Sequence, residues 1–329
     1  MMQSETEKPL VCILTLTYNH EAYIRDTLDG FLAQKTNFPF VAIVHDDAST
    51  DGTAAIVRDY AKRAPHIIKP IYETENQYSK RDGSLGQIMM NALEKTGAKY
   101  VALCEGDDYW TDPLKLQKQV DFLESHPEYS MCYSGFQTVD KDGNIIFDAN
   151  YEDLQKKSKS GDIFAKLLHG NFILTCTTCV RSEVYQLPEY LNSPASLDYN
   201  LFLAASKSGK IKFFKDKLSS YRIIESGQMR SNSYNVLKSC DALQRYYGNI
   251  WLTNPSPKTS TTNKLKICKS MAEHLCIQFK HYKNDRHTIK EIQSIIKRHP
   301  KLWAFLIFGI YKVLLEFASN RIKKNVKRD

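Results

Sequence analysis

Long uncharged apolar runs are missing from this 329-residue chain, which argues against a bundle of membrane-spanning helices. Even the run from Leu302 to Ala318 stops at 17 residues and carries Lys312 and Glu316. The N-terminus, Met1 to Lys8, is polar and lacks the apolar core of a secretory signal. Glycine-rich phosphate loops, dinucleotide fingerprints and serine-hydrolase motifs are absent. There is one Cys-x-x-Cys pair, Cys176 and Cys179, whereas structural zinc needs four ligands, so the pair reads as packing. The nine histidines show no metal-ligand spacing. Internal repeats and low-complexity tracts are also lacking.

What is present is ordinary for a folded chain: 42% hydrophobic and 25% charged residues exclude a disordered or collagen-like protein. The length suits one large domain or two modest ones. The net charge of +8 is unevenly placed. From Lys280 to Asp329 there are 13 basic and 4 acidic residues, so the other 279 residues carry a net charge of −1. A near-neutral body argues against nucleic-acid binding, and the basic tail suggests an anionic surface as partner. The eight cysteines sit largely within apolar runs, as in Val11-Cys12-Ile13, and read as reduced buried thiols. We therefore expect the body in a reducing cytoplasm.

Buried strands are expected at Leu10 to Leu16, Phe40 to Val44 and Tyr100 to Cys104, each a near-continuous apolar run, with a weaker strand at Ile67 to Tyr72. Helices are expected at about Glu21 to Gln34, Asp51 to Arg63, Ser84 to Thr96 (ended by Gly97) and Pro113 to Ser125. This alternation predicts a parallel sheet with helices on both faces, which binds ligands at the carboxyl ends of its strands. Further on, Tyr129 to Val139 and Ile145 to Phe147 read as a hairpin, and Cys176 to Arg181 and Ile211 to Phe214 as strands. A short helix is expected at Ile163 to His169, a longer one at about Leu197 to Ser206, and an all-helical region from Ser233, with a polar linker at Asn254 to Asn263.

Two of the strands end in acidic clusters, Asp46-Asp47 and Glu105-Gly106-Asp107-Asp108. Adjacent carboxylates repel each other and raise each other's pKa, a conflict that a hard divalent cation relieves. Asp46-Asp47 opens a sequence that is also an excellent turn and helix cap, so both readings stand there. The second cluster precedes Tyr109-Trp110, which offers a candidate stacking surface.

Thr17-Tyr18-Asn19, Asp46 to Gly52 and Glu105 to Trp110, in this order after the first, second and fourth strands, resemble glycosyltransferase family 2 over about residues 9–225. The resemblance implies an α/β GT-A fold, Rossmann-like, with a mainly parallel sheet over residues 1–230 and a helical C-terminal region over 231–329. It also implies a nucleotide-diphosphate-sugar donor, probed first as a UDP-sugar, a Mn²⁺ or Mg²⁺ ion, and inversion at the anomeric carbon. On that resemblance Thr17, Tyr18 and Asp47 hold the nucleotide, and Asp46 is a ribose or structural partner. Glu105 and Asp107 occupy the Asp-x-Asp positions, Asp107 and Asp108 take ribose and metal, and Asp108 is expected to coordinate directly. Lys80 and Arg81 are expected near the diphosphate, with a solvated loop the alternative, and Arg222, in a Tyr-Arg pair like the one that follows the family's last strand, is expected to bind the donor. Asp198 resembles the general base, although Leu197 replaces the acidic residue that usually precedes it. Ile224 stands where relatives often carry a histidine.

Two other classes compete with this reading: a nucleotidyltransferase that makes the nucleotide sugar, and a non-catalytic membrane scaffold of the same fold. The first wants a glycine- and arginine-rich loop after the first strand, where the chain has Thr17-Tyr18-Asn19-His20. The second is disfavoured by the joint presence of Asp47, Asp107, Asp108 and Asp198. The acceptor implied is a surface glycan or lipid-linked oligosaccharide. The tail, with Arg321, Lys323, Lys324, Lys327 and Arg328 after the apolar run, reads as a helix lying on an anionic membrane, and a helix packed on protein is the alternative. The expected location is the cytoplasmic face of the cell membrane.

Overall fold

The computed structural model describes residues 8–195, 198–224, 233–253, 268, 275, 278 and 286–300. The linker at 254–263 and the apolar, basic tail from 301 onward lie outside the described residues. The chain divides into two compact units. The first comprises Met1–Ile163, Phe172–Leu191 and Ala204–Ser231, and the second comprises Phe164–Asn171, Asn192–Leu203 and Asn232–Asp329.

The first unit begins with β1 (Val11–Thr17), α1 (Ile24–Leu32), β2 (Phe40–Asp46), α2 (Thr53–Arg63), β3 (Ile68–Tyr72), α3 (Gln77–Lys80), α4 (Ser84–Thr96) and β4 (Tyr100–Leu103). The four strands pair in parallel. Val11, Ile13, Ala42 and Val44 point to one face, where α1 and α2 bury Ile24, Leu28, Phe31, Ile56 and Val57 against them. Cys12 and Leu14 point to the other face, on which α4 packs. Burial on both faces explains the unbroken apolar runs. α1 supplies Ile24, Thr27, Leu28 and Phe31, the one-sided stripe of a surface helix.

The chain from Asp108 to Arg222 adds β5 (Tyr109–Trp110), α5 (Lys115–Ser125), β6 (Tyr129–Val139), β7 (Ile145–Ile146), α6 (Ala149–Lys157), α7 (Phe164–Leu167), β8 (Cys179–Arg181), α8 (Pro188–Leu191), α9 (Asp198–Ser208) and β9 (Lys210–Arg222), of which α7 and the first six residues of α9 belong to the second unit. All nine strands join one sheet in the order β3-β2-β1-β4-β8-β6-β9-β5, with β7 on β6. β8 runs antiparallel to both β4 and β6, and β9 runs parallel to β6. Six strands therefore share one direction and β5, β7 and β8 oppose them, which gives the mainly parallel α/β sheet of the GT-A fold.

Two local expectations change. The strand expected from Cys176 starts only at Cys179, because the Thr177 and Thr178 hydroxyls donate to the carbonyls of Leu174 and Thr175 and close a tight turn. The strand expected at Ile211 to Phe214 runs on to Arg222, across a bulge opposite Gly135. A Cβ on Gly135 would stand 2.9 Å from the Lys215 carbonyl, so only glycine permits that approach.

Within the second unit, Leu243, Tyr247 and Trp251 of the helix Ser233–Thr253 and Ile292 and Ile295 of the helix Arg286–Arg298 are buried. Arg245 joins the two helices through Glu291 at 3.1 Å. Tyr247 donates to the Asn200 side chain at 2.6 Å, and Tyr199 donates to the Leu167 carbonyl. No helix among the described residues is long and apolar enough to cross a membrane.

Candidate active site

Three loops of the first unit leave the carboxyl ends of β1, β2 and β4 and remain tied to one another by backbone hydrogen bonds. Asp47 N donates to Thr17 O at 3.0 Å, Gly106 N to Leu16 O at 2.9 Å, and Glu73 N to Asp46 O at 3.0 Å. Asn19 cross-links the first two loops: its N–H donates to Ser49 Oγ at 2.9 Å and its Oδ1 accepts from Thr50 N at 2.8 Å. Asn19 and Ala48 both take left-handed backbone conformations, at φ 55° and 61°. Asn tolerates this; Ala does not, and strain of this kind, of order 1 kcal/mol, collects at functional loops.

The strand-end carboxylates differ in what they face. Asp46 is 2% exposed and accepts from Ser49 Oγ at 2.5 Å. Asp47 is also buried, and its two oxygens accept the N–H groups of Gln77 at 2.6 Å and Tyr78 at 3.0 Å, capping α3. Each oxygen keeps a lone pair for a further donor. Glu105 and Asp107 are half-buried. Asp108 is 2% exposed, and its Oδ1 accepts from Arg222 N at 2.8 Å. Burial first, and then the neighbouring Asp107 charge, push the Asp108 carboxyl well above its usual range. Asp108, expected as the direct metal ligand, is thus turned inward, and Asp107 is the member of the pair that reaches solvent.

This geometry separates two substitutions at Asp108. Asp108→Asn keeps an acceptor for the Arg222 N–H and should change the unfolding free energy by less than about 1 kcal/mol. Asp108→Ala leaves that buried N–H without a partner and should cost about 1–3 kcal/mol in chemical denaturation.

Arg222 was expected to bind the donor; its guanidinium is spent inside the protein. Nε donates to Asp107 O at 2.9 Å, Nη1 to Lys141 O at 3.1 Å and Asp140 O at 3.3 Å, and Nη2 to Asp26 Oδ2 at 2.7 Å. It also lies 4.8 Å from the Tyr23 ring centre. With every branch engaged and only 4% of the residue exposed, Arg222 is a clamp that fixes the Asp107 backbone. Arg222→Ala should destabilise the fold by about 2–3 kcal/mol by thermal or chemical unfolding, chiefly through the carbonyls it orphans, since Asp26 is half exposed.

Trp110, read as a stacking surface, belongs to the core. It is 4% exposed, its Nε1 donates to Cys176 O at 2.9 Å, and Phe31 lies 4.8 Å from its ring centre. The fully buried Lys115 ammonium sits 4.2 Å over the same ring and donates to Gln119 at 2.8 Å. Cys176 and Cys179 are buried in this core.

His20 is the site residue the sequence reading missed. Its Nδ1 is buried without a hydrogen-bond partner, as is Thr17 Oγ1, and both border Gly106. A Cβ at Gly106 would stand 2.7 Å from Thr17 Oγ1 and 2.9 Å from His20 Nδ1, so only glycine fits there. Burial lowers the His20 pKa, against the pull of Asp107, Asp51 and Asp46. The available signal was its place directly after Thr17-Tyr18-Asn19.

Tyr18, Lys80, Arg81, Ile224 and Asp198 remain of the residues singled out in the sequence. Tyr18 is 43% exposed. Lys80 and Arg81 are exposed, and Lys80 pairs with Glu75 at 3.1 Å. Ile224 is half-buried just beyond β9. Asp198 opens α9 in the second unit; its side is open to solvent, yet the surrounding protein mass desolvates the carboxyl and pushes its pKa up to about 6. Among the described residues, no cluster of three His, Cys, Asp or Glu side chains is arranged to hold a metal by itself.

The comparisons agree with this architecture. An uncharacterized protein of Mycobacterium tuberculosis is 37% identical over 214 residues, covering 64% of this chain and 58% of that protein. The chain thus matches just over half the length of the mycobacterial relatives. TuaG of Bacillus subtilis, whose assignment as a teichuronic acid biosynthesis glycosyltransferase is itself provisional, is 28% identical over 242 residues, covering 70% of this chain and 85% of TuaG. Among solved structures, residues 1–349 of Staphylococcus aureus TarS in complex with UDP-GlcNAc share the fold at a TM-score of 0.60 and 18% identity, covering 90% of this chain and 83% of that one. The profile described as Glycosyl transferase family 2 matches residues 12–186, more than half of the chain, and places this protein in that family.

Proposed function

We propose that this chain transfers a sugar from a nucleotide-diphosphate sugar to a hydroxyl of a glycan or lipid-linked acceptor, with inversion at the anomeric carbon. One observation carries the reading: the loops after β1, β2 and β4 converge on the half-exposed Asp107, backed by a buried Asp108 whose charge it repels. Hard carboxylate oxygens suit Mg²⁺ or Mn²⁺, which typically takes one or two carboxylates and completes its shell with phosphate oxygens and water. Asp107 would hold such an ion, with Glu105 beside it. The ion supplies charge stabilisation to the departing diphosphate.

The chain's own residues do the rest. Thr17, Tyr18, Asp46 and Asp47 line the nucleotide end, where Asp47 accepts from the base. Lys80 and Arg81 stand over the diphosphate; the solvent-exposed Lys80–Glu75 pair is worth little and yields readily. Asp198 takes the proton of the acceptor hydroxyl. The acceptor oxygen forms its bond to the anomeric carbon as the bond to the diphosphate oxygen breaks, through an oxocarbenium-like transition state. The TarS fragment of the same fold holds UDP-GlcNAc, so UDP-sugars are the first donors to test.

The test is a nucleotide-sugar panel with the full chain, with Mn²⁺ or with a chelator, reading nucleoside diphosphate release. Release that depends on the sugar and the ion supports the reading. Pyrophosphate release would indicate nucleotidyl transfer, and no turnover with any donor would leave a scaffold. The sequence of the tail further supports association with an anionic membrane. Deleting residues from 301 onward should then release the protein from anionic vesicles and spare activity on a soluble acceptor.

A further inference from the structure

A basic hollow lies on the first unit, away from the carboxylates. The loop 158–161 is pinned along the start of β9: Gly161 and Ile211 exchange backbone hydrogen bonds at 2.8 and 3.0 Å, and Phe213 N donates to Ser160 Oγ at 2.9 Å. Tyr133 OH accepts from Lys159 N at 2.8 Å and fixes that backbone from below. Between loop and strand opens a hollow of about 600 Å³, lined by Lys159, Lys212 and Lys215, by Phe213 and Phe214, and by Ser158 and Ser160.

The charge here is unusual for this body. Residues 156–160 and 210–217 carry seven lysines and one acidic residue, Asp216, although residues 1–279 carry a net charge of −1. Among the described residues, Lys159, Lys212 and Lys215 form no ion pair. Lys212 rests over the Phe122 and Phe214 rings at 5.1 and 5.6 Å, which positions its ammonium without neutralising it. Three uncompensated ammonium groups beside two aromatic rings match a ligand that is anionic and has apolar ring faces.

Resting on the family reading above, we propose that this hollow binds an anionic glycan, holding a carboxylate- or phosphate-bearing stretch of the acceptor at a distance from the reacting end. Phe213 and Phe214 are half-buried in a concavity rather than protruding, so they do not suit insertion into a bilayer. The hollow lies about eight residues along β9 from Arg222, roughly 25 Å at the rise of a strand. A polymer, and not a single sugar, spans that distance.

The experiment compares the full chain with the K159E/K215E variant by affinity electrophoresis in polygalacturonate, in uncharged dextran and without polymer. The tail is common to both proteins, so the difference between them isolates the hollow. Polygalacturonate should retard the wild type far more than dextran does. The double variant should bind it about tenfold more weakly, as expected for two exposed attractions turned into repulsions, and the gap should shrink as salt rises. Thermal unfolding and donor hydrolysis should be unchanged. Equal retardation of the two proteins by polygalacturonate overturns the proposal. A parallel sedimentation with phosphatidylglycerol vesicles covers the other partner: a loss in the variant confined to the vesicles also overturns the proposal and makes the surface a membrane contact. Donor hydrolysis is scored separately: its absence from both proteins sinks the glycosyltransferase reading, while the retardation still decides the hollow.

Discussion

Asp107→Ala is expected to lower sugar transfer by at least about 100-fold while leaving the fold intact. The Asp107 side chain is half-exposed, and the protein uses its backbone carbonyl, held by Arg222, rather than its carboxylate. Removing the carboxylate therefore takes little from stability and, on the proposed mechanism, removes the anchor of the leaving-group charge, worth several kcal/mol. Nucleoside diphosphate release under saturating Mn²⁺, paired with thermal unfolding, measures both effects. A variant that keeps more than about a tenth of the wild-type rate would show that Asp107 does not hold the ion. A parallel loss in Asp108→Asn would return that role to Asp108, despite its burial.

Asp198→Asn is expected to slow transfer by about 10²–10⁴-fold, the range of a lost general base, while donor binding stays within about twofold. Desolvation raises the Asp198 carboxyl to about 6. The working form is the carboxylate, so it is fully present above that value and lost as pH falls through it. The wild-type rate should therefore drop about tenfold per pH unit below about 6, and this acidic limb should vanish in the variant. A variant with the same limb would reduce Asp198 to a helix-capping residue. Lost donor binding would point instead to a disturbed α9, whose first turn also holds the buried Tyr199 and Asn200.

Much of the frame was legible because burial leaves a mark on composition. β1, β2 and β4 are covered on both faces and so read as apolar runs, and α4 was placed residue for residue at Ser84–Thr96. Only four of the thirteen residues of β9 were read as strand, because the polar Lys215-Asp216-Lys217 bulge interrupts its pattern. The acidic clusters were legible as strand-end groups. What each carboxylate faces was not: Asp107 and Asp108 are neighbours of the same type, and no local pattern separates them. Their difference is made by Arg222, 114 residues beyond Asp108, whose N–H donates to the carboxylate of Asp108 and whose side chain donates to the backbone carbonyl of Asp107.

The sequence by itself determined the alternation of strands and helices, the three strand-end motifs and hence the family, since these rest on side-chain periodicity and on short contiguous segments. Tertiary structure decided the orientation of the groups: Trp110 inward against Phe31 and Lys115, His20 beside Gly106, and Arg222 as an internal clamp on Asp107 and Asp108. It also gathered Lys159, Lys212 and Lys215 around one hollow, where Gly161 pairs with Ile211. The physical reason is common to all of these. A side chain's role depends on which distant backbone donors, rings and charges complete its surroundings, and those partners meet only when the sheet closes.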